Sequence, residues 1–309
     1  MSDPLSALVG LLRPHALIWK HMAGLGTWAW RMPADEGVVF GRVLDGACRY
    51  DVPGFGSGLL ATGDALLLAA PPSWELRSVD GAGQPIDFDA LPAETRSIGT
   101  RDGLADGGVR ISGGHFVFDA ANTQLLLPYL SRITHIRTEE NESRGQLDAL
   151  LELFDAEASA ERPGHEAVLS RLLEVLLVEL LRAPGESAAH HLGMMVGLSD
   201  PQIGRALRAF HTDIQRTWSV ASLAGIATMS RTTFAERFTD LVGISPMHYV
   251  SQWRMAVARD ALREGRRSID EIAAAIGYGS RSAFSTAFTR SVGVPPARFA
   301  SSARLTRVA

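Results

Sequence analysis

The sequence predicts an α+β protein with a β-rich N-terminal half, a helical connector and an all-helical C-terminal part. Three observations support this. Short apolar runs broken by Gly, Pro and Asp fill the first 140 residues, leucines recur at helical spacing in the middle, and one helical pattern occurs twice near the C-terminus. The length of 309 residues and the hydrophobic content of 46% suggest more than one globular domain.

The N-terminal half predicts a short leading helix over residues 5–12, followed by strands. Five apolar runs bounded by turn residues indicate a β-sandwich or barrel: 38–44, 59–60, 65–70, 109–111 and 116–118. The segment 78–108 is rich in Gly, Ala, Asp and Pro and lacks periodicity, so we expect part of it to be a mobile loop.

The pattern changes to helix at about residue 143 and breaks at Pro163 and Gly164. The second helix carries leucines at three- and four-residue spacing, namely Leu169, Leu172, Leu173, Leu176, Leu177, Leu180 and Leu181. This stripe can pack on the β-domain or on the same helix of a second chain, and the sequence leaves both open. Residues 183–189 predict a linker.

The charge of the chain is divided between its two parts. Residues 199–309 hold 15 Arg, no Lys and 8 acidic residues, a net charge of +7, and the remainder carries −11, which together give the −4 of the whole chain. A basic segment of this kind attracts nucleic-acid phosphates, whereas the acidic part opposes indiscriminate binding.

A repeat with an offset of 50 residues lies in the basic part, where SRTTFAERFTDLVGISPMHYV aligns with SRSAFSTAFTRSVGVPPARFA. The matched pairs are Ser230 and Ser280, Arg231 and Arg281, Phe234 and Phe284, Phe238 and Phe288, Gly243 and Gly293, Pro246 and Pro296, and Tyr249 and Phe299. Upstream, the offset is 49 residues, so an extra residue falls in the turn near Gly277. Each copy predicts a helix-turn-helix unit, with Ser268 and Glu271 forming a capping box.

The second helix of each unit predicts a buried aromatic face and a free outward face. Phe234, Phe238 and Leu241, like Phe284, Phe288 and Val292, are expected to point inward. The candidate DNA contacts on and beside the outward faces are Ser230, Arg231, Thr232, Glu236, Ser280, Arg281, Ser282, Ser285, Thr286 and Arg290. Arg can pair with guanine, hydroxyls can reach bases or phosphates, and Arg290 is expected at phosphate or solvent. The alternative is that Arg231 and Arg281 only solvate helix ends.

A linking helix that starts at Pro246 and ends near Gly265 would hold the two units rigidly, about 34 Å apart for successive major grooves. Residues 201–300 resemble the DNA-binding domain of the AraC/XylS family of transcription regulators. The resemblance rests on the paired units, Trp253-Arg254-Met255, Ile276-Gly277-Tyr278, and Gly293 to Pro296 with Phe299. It implies that residues 190–309 form this domain. Glu236 departs from the basic residue common there.

The N-terminal region resembles the cupin-type sensor domain fused to many members of that family, through Gly63-Asp64 and the apolar run up to Pro71-Pro72. This implies a sensor domain over 1–142 and a connector over 143–189 that can also serve dimerisation. Trp74 stands where a metal-binding cupin would carry a histidine, and no His-x-His pair occurs, so neither a metal nor a cofactor is expected. Trp28, Trp74 and His115 are ligand candidates, with core packing as the alternative.

We therefore expect a cytoplasmic, homodimeric regulator of double-stranded DNA that responds to a small-molecule effector, with RNA polymerase open as a further partner. No secretory leader pattern and no run of eighteen apolar residues occurs, so no membrane association is expected. The chain also lacks a Gly-x-Ser-x-Gly elbow and a phosphate-binding loop, so no catalytic residue is assigned. Two alternatives remain: a metal-independent or degenerate cupin enzyme fused to a DNA-binding module, and a regulator responding to a protein partner or oxidant. Cys48, the single cysteine, is the candidate redox sensor or a buried structural thiol.

Overall fold

The computed structural model describes residues 3–12, 14, 16–81, 83–91, 108–118, 122, 127, 130–137, 144–160, 162–182 and 193–306. The chain divides into two compact units. The β unit comprises 14–118 and 130–191, and the helical unit comprises 1–13, 119–129 and 192–309. The division of the chain at residues 142 and 189 stays a prediction, and the predicted linker 183–189 lies outside the described residues.

The described part of the β unit contains ten strands in two five-stranded sheets. The strands are β1 Ala16–Gly24, β2 Ala29–Met32, β3 Val38–Asp45, β4 Ala47–Val52, β5 Gly56–Ala61, β6 Ala65–Ala69, β7 Trp74–Arg77, β8 Ile86–Asp87, β9 Val109–Val117 and β10 Ile133–Ile136. One sheet has the order β1-β9-β3-β6-β10 and the other β5-β4-β7-β2-β8. All described pairings are antiparallel except that of β2 with β8.

A single hydrophobic core joins the two sheets. β4 alternates between buried Cys48, Tyr50 and Val52 and more exposed neighbours, as a strand with one core-facing side must. Side chains of β1, β3, β6, β9 and β10 meet those of β2, β4, β5 and β7 in this core. The two sheets are not closed into a barrel, so the sandwich is the form that the described residues adopt.

The strand predictions are confirmed for β3, β5 and β6, and wrong where they divide β9. Residues 109–111 and 116–118 were expected as separate runs because Gly113 and Gly114 interrupt the apolar pattern. The ladder continues through them, pairing Gly113 with Lys20 of β1 and Gly41 of β3. A Cβ atom on Gly113 would lie 2.4 Å from the carbonyl oxygen of Phe40, so close approach of the backbones requires glycine.

Two helices, α2 (Arg144–Ala160) and α3 (His165–Arg182), complete the described β unit. The break between them is confirmed, since Gly164 has a φ of +86°. Five members of the leucine stripe are buried: Leu173, Leu176, Leu177, Leu180 and Leu181. Helix α3 contacts α2 and β1. Most of the stripe therefore packs within the chain, and only Leu169 and Leu172 are half-buried.

The helical unit begins with the predicted leading helix, α1 (Pro4–Leu12), which contacts two of the C-terminal helices, α5 and α8. The remaining helices are α4 Met194–Ser199, α5 Ile203–Thr212, α6 Val220–Ala227, α7 Arg231–Val242, α8 Pro246–Glu264, α9 Ile269–Ala275, α10 Arg281–Val292 and α11 Pro296–Thr306. Leu8 and Leu12 of α1 are fully buried. In the described residues of both units, no helix is long and apolar enough to cross a membrane.

A half-buried histidine lies among the aromatic residues of the helical unit. The Nε2 atom of His211 on α5 lies 2.6 Å from the hydroxyl oxygen of Tyr249, and its ring meets that of Trp253 edge-on at 4.3 Å. Burial, which removes the charged form from water, lowers the pKa of His211 from 6.5 to about 3. In the unfolded chain His211 therefore binds a proton near pH 6.5, whereas in the folded chain it binds one only near pH 3.

This histidine predicts a loss of stability in acid. The contribution of neutral His211 is complete above pH 6.5 and declines as the pH falls toward 3, by about 1–2 kcal/mol between pH 7 and pH 5. Urea unfolding of His211→Gln should show a weaker decline than the wild type over this range. His248→Gln, a control at an exposed histidine bonded to Gln252, should keep the wild-type decline. Equal declines in all three proteins would contradict the assignment.

Candidate nucleic-acid interface

Two helix-turn-helix units lie in the helical unit, as predicted. The first consists of α6, a turn and α7, and the second of α9, a turn and α10. Both first helices end on a left-handed residue, Thr228 with φ +56° and Gly277 with φ +81°. These positions are 49 residues apart, so the extra residue of the second copy follows Gly277, within the turn.

Side-chain caps fix where each helix begins. The Oγ atoms of Ser230 and Ser280 accept hydrogen bonds from the backbone N–H groups of Thr233 and Ala283, both at 3.2 Å. Ser268 and Glu271 form the predicted reciprocal capping box at α9. Ser230 and Ser280, two of the candidate DNA contacts, therefore already have a structural role at the N-termini of α7 and α10.

Phenylalanines anchor α7 and α10 to the interior. Phe234, Phe238, Phe284 and Phe288 are buried, and the two rings of each pair lie 5.6 and 5.5 Å apart. The expected third anchor of α10, Val292, is only half-buried, and so is that of α7, Leu241. Val242 is fully buried in its place because Phe234, Phe238 and Val242 follow the four-residue spacing of one helix face.

The structure leaves the candidate contact residues on the outer side. Ser230, Arg231, Thr232, Glu236, Ser280, Arg281, Ser282, Thr286 and Arg290 are exposed, and Ser285 is half-buried. The guanidinium of Arg281 lies 3.4 Å from a carboxylate oxygen of Asp270, in an exposed ion pair worth little in water. These side chains are thus accessible to a large polar ligand.

The two outward helices differ in charge. Helix α7 carries Arg231, Glu236, Arg237 and Asp240, a net charge of zero, whereas α10 carries Arg281 and Arg290 and no acid, a net charge of +2. Arg237 binds Asp200, with its Nε and Nη2 atoms 3.1 and 2.5 Å from the carboxylate. Burial by itself would raise the pKa of Asp200. The N–H of Ile203 and the Arg237 guanidinium together lower this pKa by more than burial raises it, so the net shift is downward. The positive potential is therefore concentrated on α10.

The linking helix between the two units is α8, as predicted. Pro246 occupies its first turn, and Gly265, with φ +65°, ends it. Trp253, Met255, Ala258 and Leu262 are buried along its length. Trp253 and Leu262 lie on opposite faces of α8, so the helix is packed against its neighbours on two sides, as a rigid connection between two units requires.

A cavity of about 360 Å³ lies in the β unit, lined by residues from both sheets. His115 and Trp74, two of the ligand candidates, line it together with Asp35, Val39 and apolar side chains such as Met22 and Phe88. The Nδ1 atom of His115 lies 3.0 Å from a carboxylate oxygen of Asp35. Trp28, the third candidate, is not among the lining residues. It lies in the core against Trp30, with their ring centroids 4.1 Å apart.

Sequence reasoning missed most of this cavity. Its lining comes from positions scattered over several strands and loops, and no local pattern marks them. In the part of the chain that the structure describes, no three His, Cys, Asp or Glu side chains gather as a metal-binding group. Cys48 is fully buried, and its burial raises the pKa of the thiol to about 12, so the reactive thiolate is not populated at neutral pH.

Comparison with known proteins agrees with both halves of this arrangement. A cupin family model matches residues 3–184, and a helix-turn-helix domain model matches residues 223–302. An AraC-like transcription regulator of Streptomyces lividans is 36% identical over 90% of this chain and 91% of its own length. A second one, from Streptomyces antibioticus, is 33% identical over the same shares of the two chains.

A relative of lower identity is also a transcriptional regulator. The transcriptional regulator AlkR of Acinetobacter baylyi is 26% identical over 89% of this chain and 92% of its own. Among solved structures, the DNA-binding domain of the transcriptional factor AdpA in complex with a target DNA is 31% identical, covering 35% of this chain and 97% of that one, with a TM-score of 0.34. On the full-length relatives and the two domain models, the chain belongs to the AraC-like family of DNA-binding transcription regulators.

Proposed function

We propose that this regulator reads DNA by placing α7 and α10 in successive major grooves of one duplex, about 34 Å apart. The observation that carries the proposal is that both helices bury their phenylalanines inward and leave polar side chains outside. A major groove admits one α-helix, and the linking helix α8 gives the pair a fixed connection. The protein then acts in the cytoplasm, where the DNA of its bacterial relatives is found.

The proposed base contacts follow from side-chain chemistry. Arg231 and Arg281 stand at helix N-termini and present paired donors to guanine. Glu236 can accept from the amino group of cytosine, and it repels phosphate. The hydroxyl groups that accompany them are those of Thr232, Ser282, Ser285 and Thr286, while Ser230, Ser280 and Arg290 lie where phosphates would pass.

We predict that Arg281→Ala relaxes sequence preference at one position of the bound site. The wild-type protein would first select its site from a random-sequence duplex library, and the variant would then select from the same library. Loss of the bidentate pair should cost about 1–3 kcal/mol against the wrong base. Arg298→Ala, which removes an exposed arginine from α11, should leave the preference intact. An unchanged preference profile in Arg281→Ala would contradict the contact.

The charge difference between the helices yields a matched pair of predictions. Asp240 and Arg290 occupy equivalent exposed positions of α7 and α10. Arg290→Ala should weaken binding to every sequence and reduce the slope of log affinity against log salt by about one. Asp240→Ala should strengthen binding at low salt, because it removes a repelled carboxylate. Shifts in the same direction, or none, would refute this electrostatic assignment.

We propose further that a small molecule in the cavity of the β unit controls DNA binding. Its volume of about 360 Å³ lies within the range of ligand pockets, and an apolar lining with a polar pair, His115 and Asp35, is typical of such sites. A ligand that binds one state better shifts the population toward that state, and thereby changes the affinity for DNA. The protein then works by binding rather than by catalysis, as its regulator relatives do.

The cavity proposal predicts that filling the space abolishes ligand binding. Val39→Phe adds volume to the lining, so it should weaken binding of the neutral dye N-phenyl-1-naphthylamine by about tenfold or more, measured as dye fluorescence. Val79→Phe, at an exposed position outside the lining, is the control and should bind as the wild type does. Equal dye binding by both variants would place the dye elsewhere.

We also propose a homodimer, with RNA polymerase as a further partner because transcription regulators act on it directly or through the DNA. Exposed apolar side chains on α2 and α3, namely Leu153, Val168 and Val175, support the dimer. Val168 and Val175 are seven residues apart and share one face of α3. Sedimentation at micromolar concentration tests this, with a loss of dimer expected for Val175→Glu.

A further inference from the structure

The two helix-turn-helix units meet at one arginine. Arg254 lies in the middle of α8, and its Nε and Nη2 atoms donate to the carbonyl oxygen of Ile214 at 3.1 and 2.7 Å. The same Nη2 atom donates to the carbonyl oxygen of Arg216 at 2.7 Å. Both carbonyls belong to the loop between α5 and α6, so Arg254 binds the backbone that leads into the first unit.

That loop is itself held to α5. The indole N–H of Trp218 donates to the carbonyl oxygen of Asp213 at 2.8 Å, and the guanidinium of Arg216 stacks over the Trp218 ring at 4.7 Å. Trp218 is buried against Phe210. Helix α5 in turn contacts both α6 and α7, so the loop is connected through α5 to the first unit.

The other side of Arg254 faces the second unit. Its guanidinium lies over the ring of Tyr278, 6.0 Å from the centroid, in the turn between α9 and α10. The Tyr278 ring meets Phe284 edge-on at 5.8 Å, and Phe284 is one of the two anchors of α10. An unbroken series of contacts thus joins the loop before α6 to the second recognition helix.

The backbone of the second unit also touches that of this loop. A Cβ atom added to Gly277 would lie 2.3 Å from the carbonyl oxygen of Gln215 and 2.6 Å from the Nη2 atom of Arg254. Glycine is therefore required at position 277 by space as well as by its φ of +81°. Gly293, at the end of α10, has nearly the same φ of +83°, but a Cβ atom there would meet nothing within 4 Å.

We infer that Arg254 is a positioning residue that sets the spacing and rotation at which α7 and α10 meet DNA. The inference rests on the proposed binding in two grooves. Without the junction, the two units are joined by α8 and by its packing against α7, α9 and α10. With it, the guanidinium also joins two carbonyls of the loop before the first unit to one aromatic ring of the second. Lysine, a single ammonium, cannot reproduce that geometry.

Sensitivity to spacing is the readout, because a merely stabilising role would not change it. One inserted base pair turns the second subsite by about 35° and moves it by about 3.4 Å relative to the first. A rigid pair of recognition helices loses contacts on such a site, whereas a loosely joined pair adapts. The relevant quantity is therefore the ratio of affinities for the original and the expanded duplex.

The experiment uses the full chain and the duplex that the wild-type protein selects from random-sequence DNA. Versions with one base pair inserted between the two contacted segments, and with a single segment, complete the set. The wild type and Gly293→Ala should lose at least about tenfold in affinity on insertion, the cost of one misplaced base contact. Arg254→Ala and Gly277→Ala should lose only about twofold, with single-segment affinity within about twofold of the wild type. Arg254→Lys should lie between.

The possible outcomes distinguish a failure of the proposed binding in two grooves from a failure of the proposed role of Arg254. If the wild type tolerates the insertion without loss, the proposed binding in two grooves is wrong. If the wild type is sensitive and both Arg254→Lys and Gly277→Ala are equally sensitive, the junction does not set the spacing and the inference is overturned. Helical circular dichroism and single-segment binding identify any variant that is unfolded, and Arg254→Lys, which keeps the cation, then decides the question.

Discussion

The burial of paired phenylalanines is the constraint on which the DNA-reading surface depends. The side chains of these four residues, Phe234 and Phe238 on α7 and Phe284 and Phe288 on α10, are buried away from water. The two phenylalanines of each pair lie about one helical turn apart on the same helix. Because these side chains are buried, the opposite faces of α7 and α10 point outward. The duplication of this single pattern, 50 residues apart, is what gives the chain two outward helices rather than one.

The two copies of the helix-turn-helix unit differ in the charge of their outward helices. The first recognition helix is electrically neutral and has an arginine already engaged by Asp200, whereas the second carries two exposed arginines without a compensating acid on the helix. Phosphate attraction grows with such a net positive charge on a helix. The structure therefore suggests a division of labour, in which α10 supplies much of the affinity and α7, through Glu236, adds selectivity.

Much of this could be predicted from the sequence, since the helical unit is built from local signals. The caps at Ser230, Ser268 and Ser280, the left-handed Gly277 and the aromatic spacing are each determined by residues only a few positions apart. The β unit was harder to predict from the sequence because its strands pair residues that lie far apart in the chain. Gly113 and Gly114 suggested a break in what is one continuous strand, and β1, β2 and β10 lacked a clear alternation, while β4 and β7, which do alternate, are only six and four residues long. The cavity near His115 and the junction at Arg254 depend on such long-range contacts, which single-sequence patterns do not reveal.

The central claim is that one chain of this AraC-like regulator engages two neighbouring grooves from one side of the duplex. Hydroxyl-radical footprinting of the full protein on its selected DNA tests it most directly. The account predicts two protected patches on the same face, their centres about one helical turn apart. A single short patch at saturating protein, or two patches on opposite faces, would contradict it.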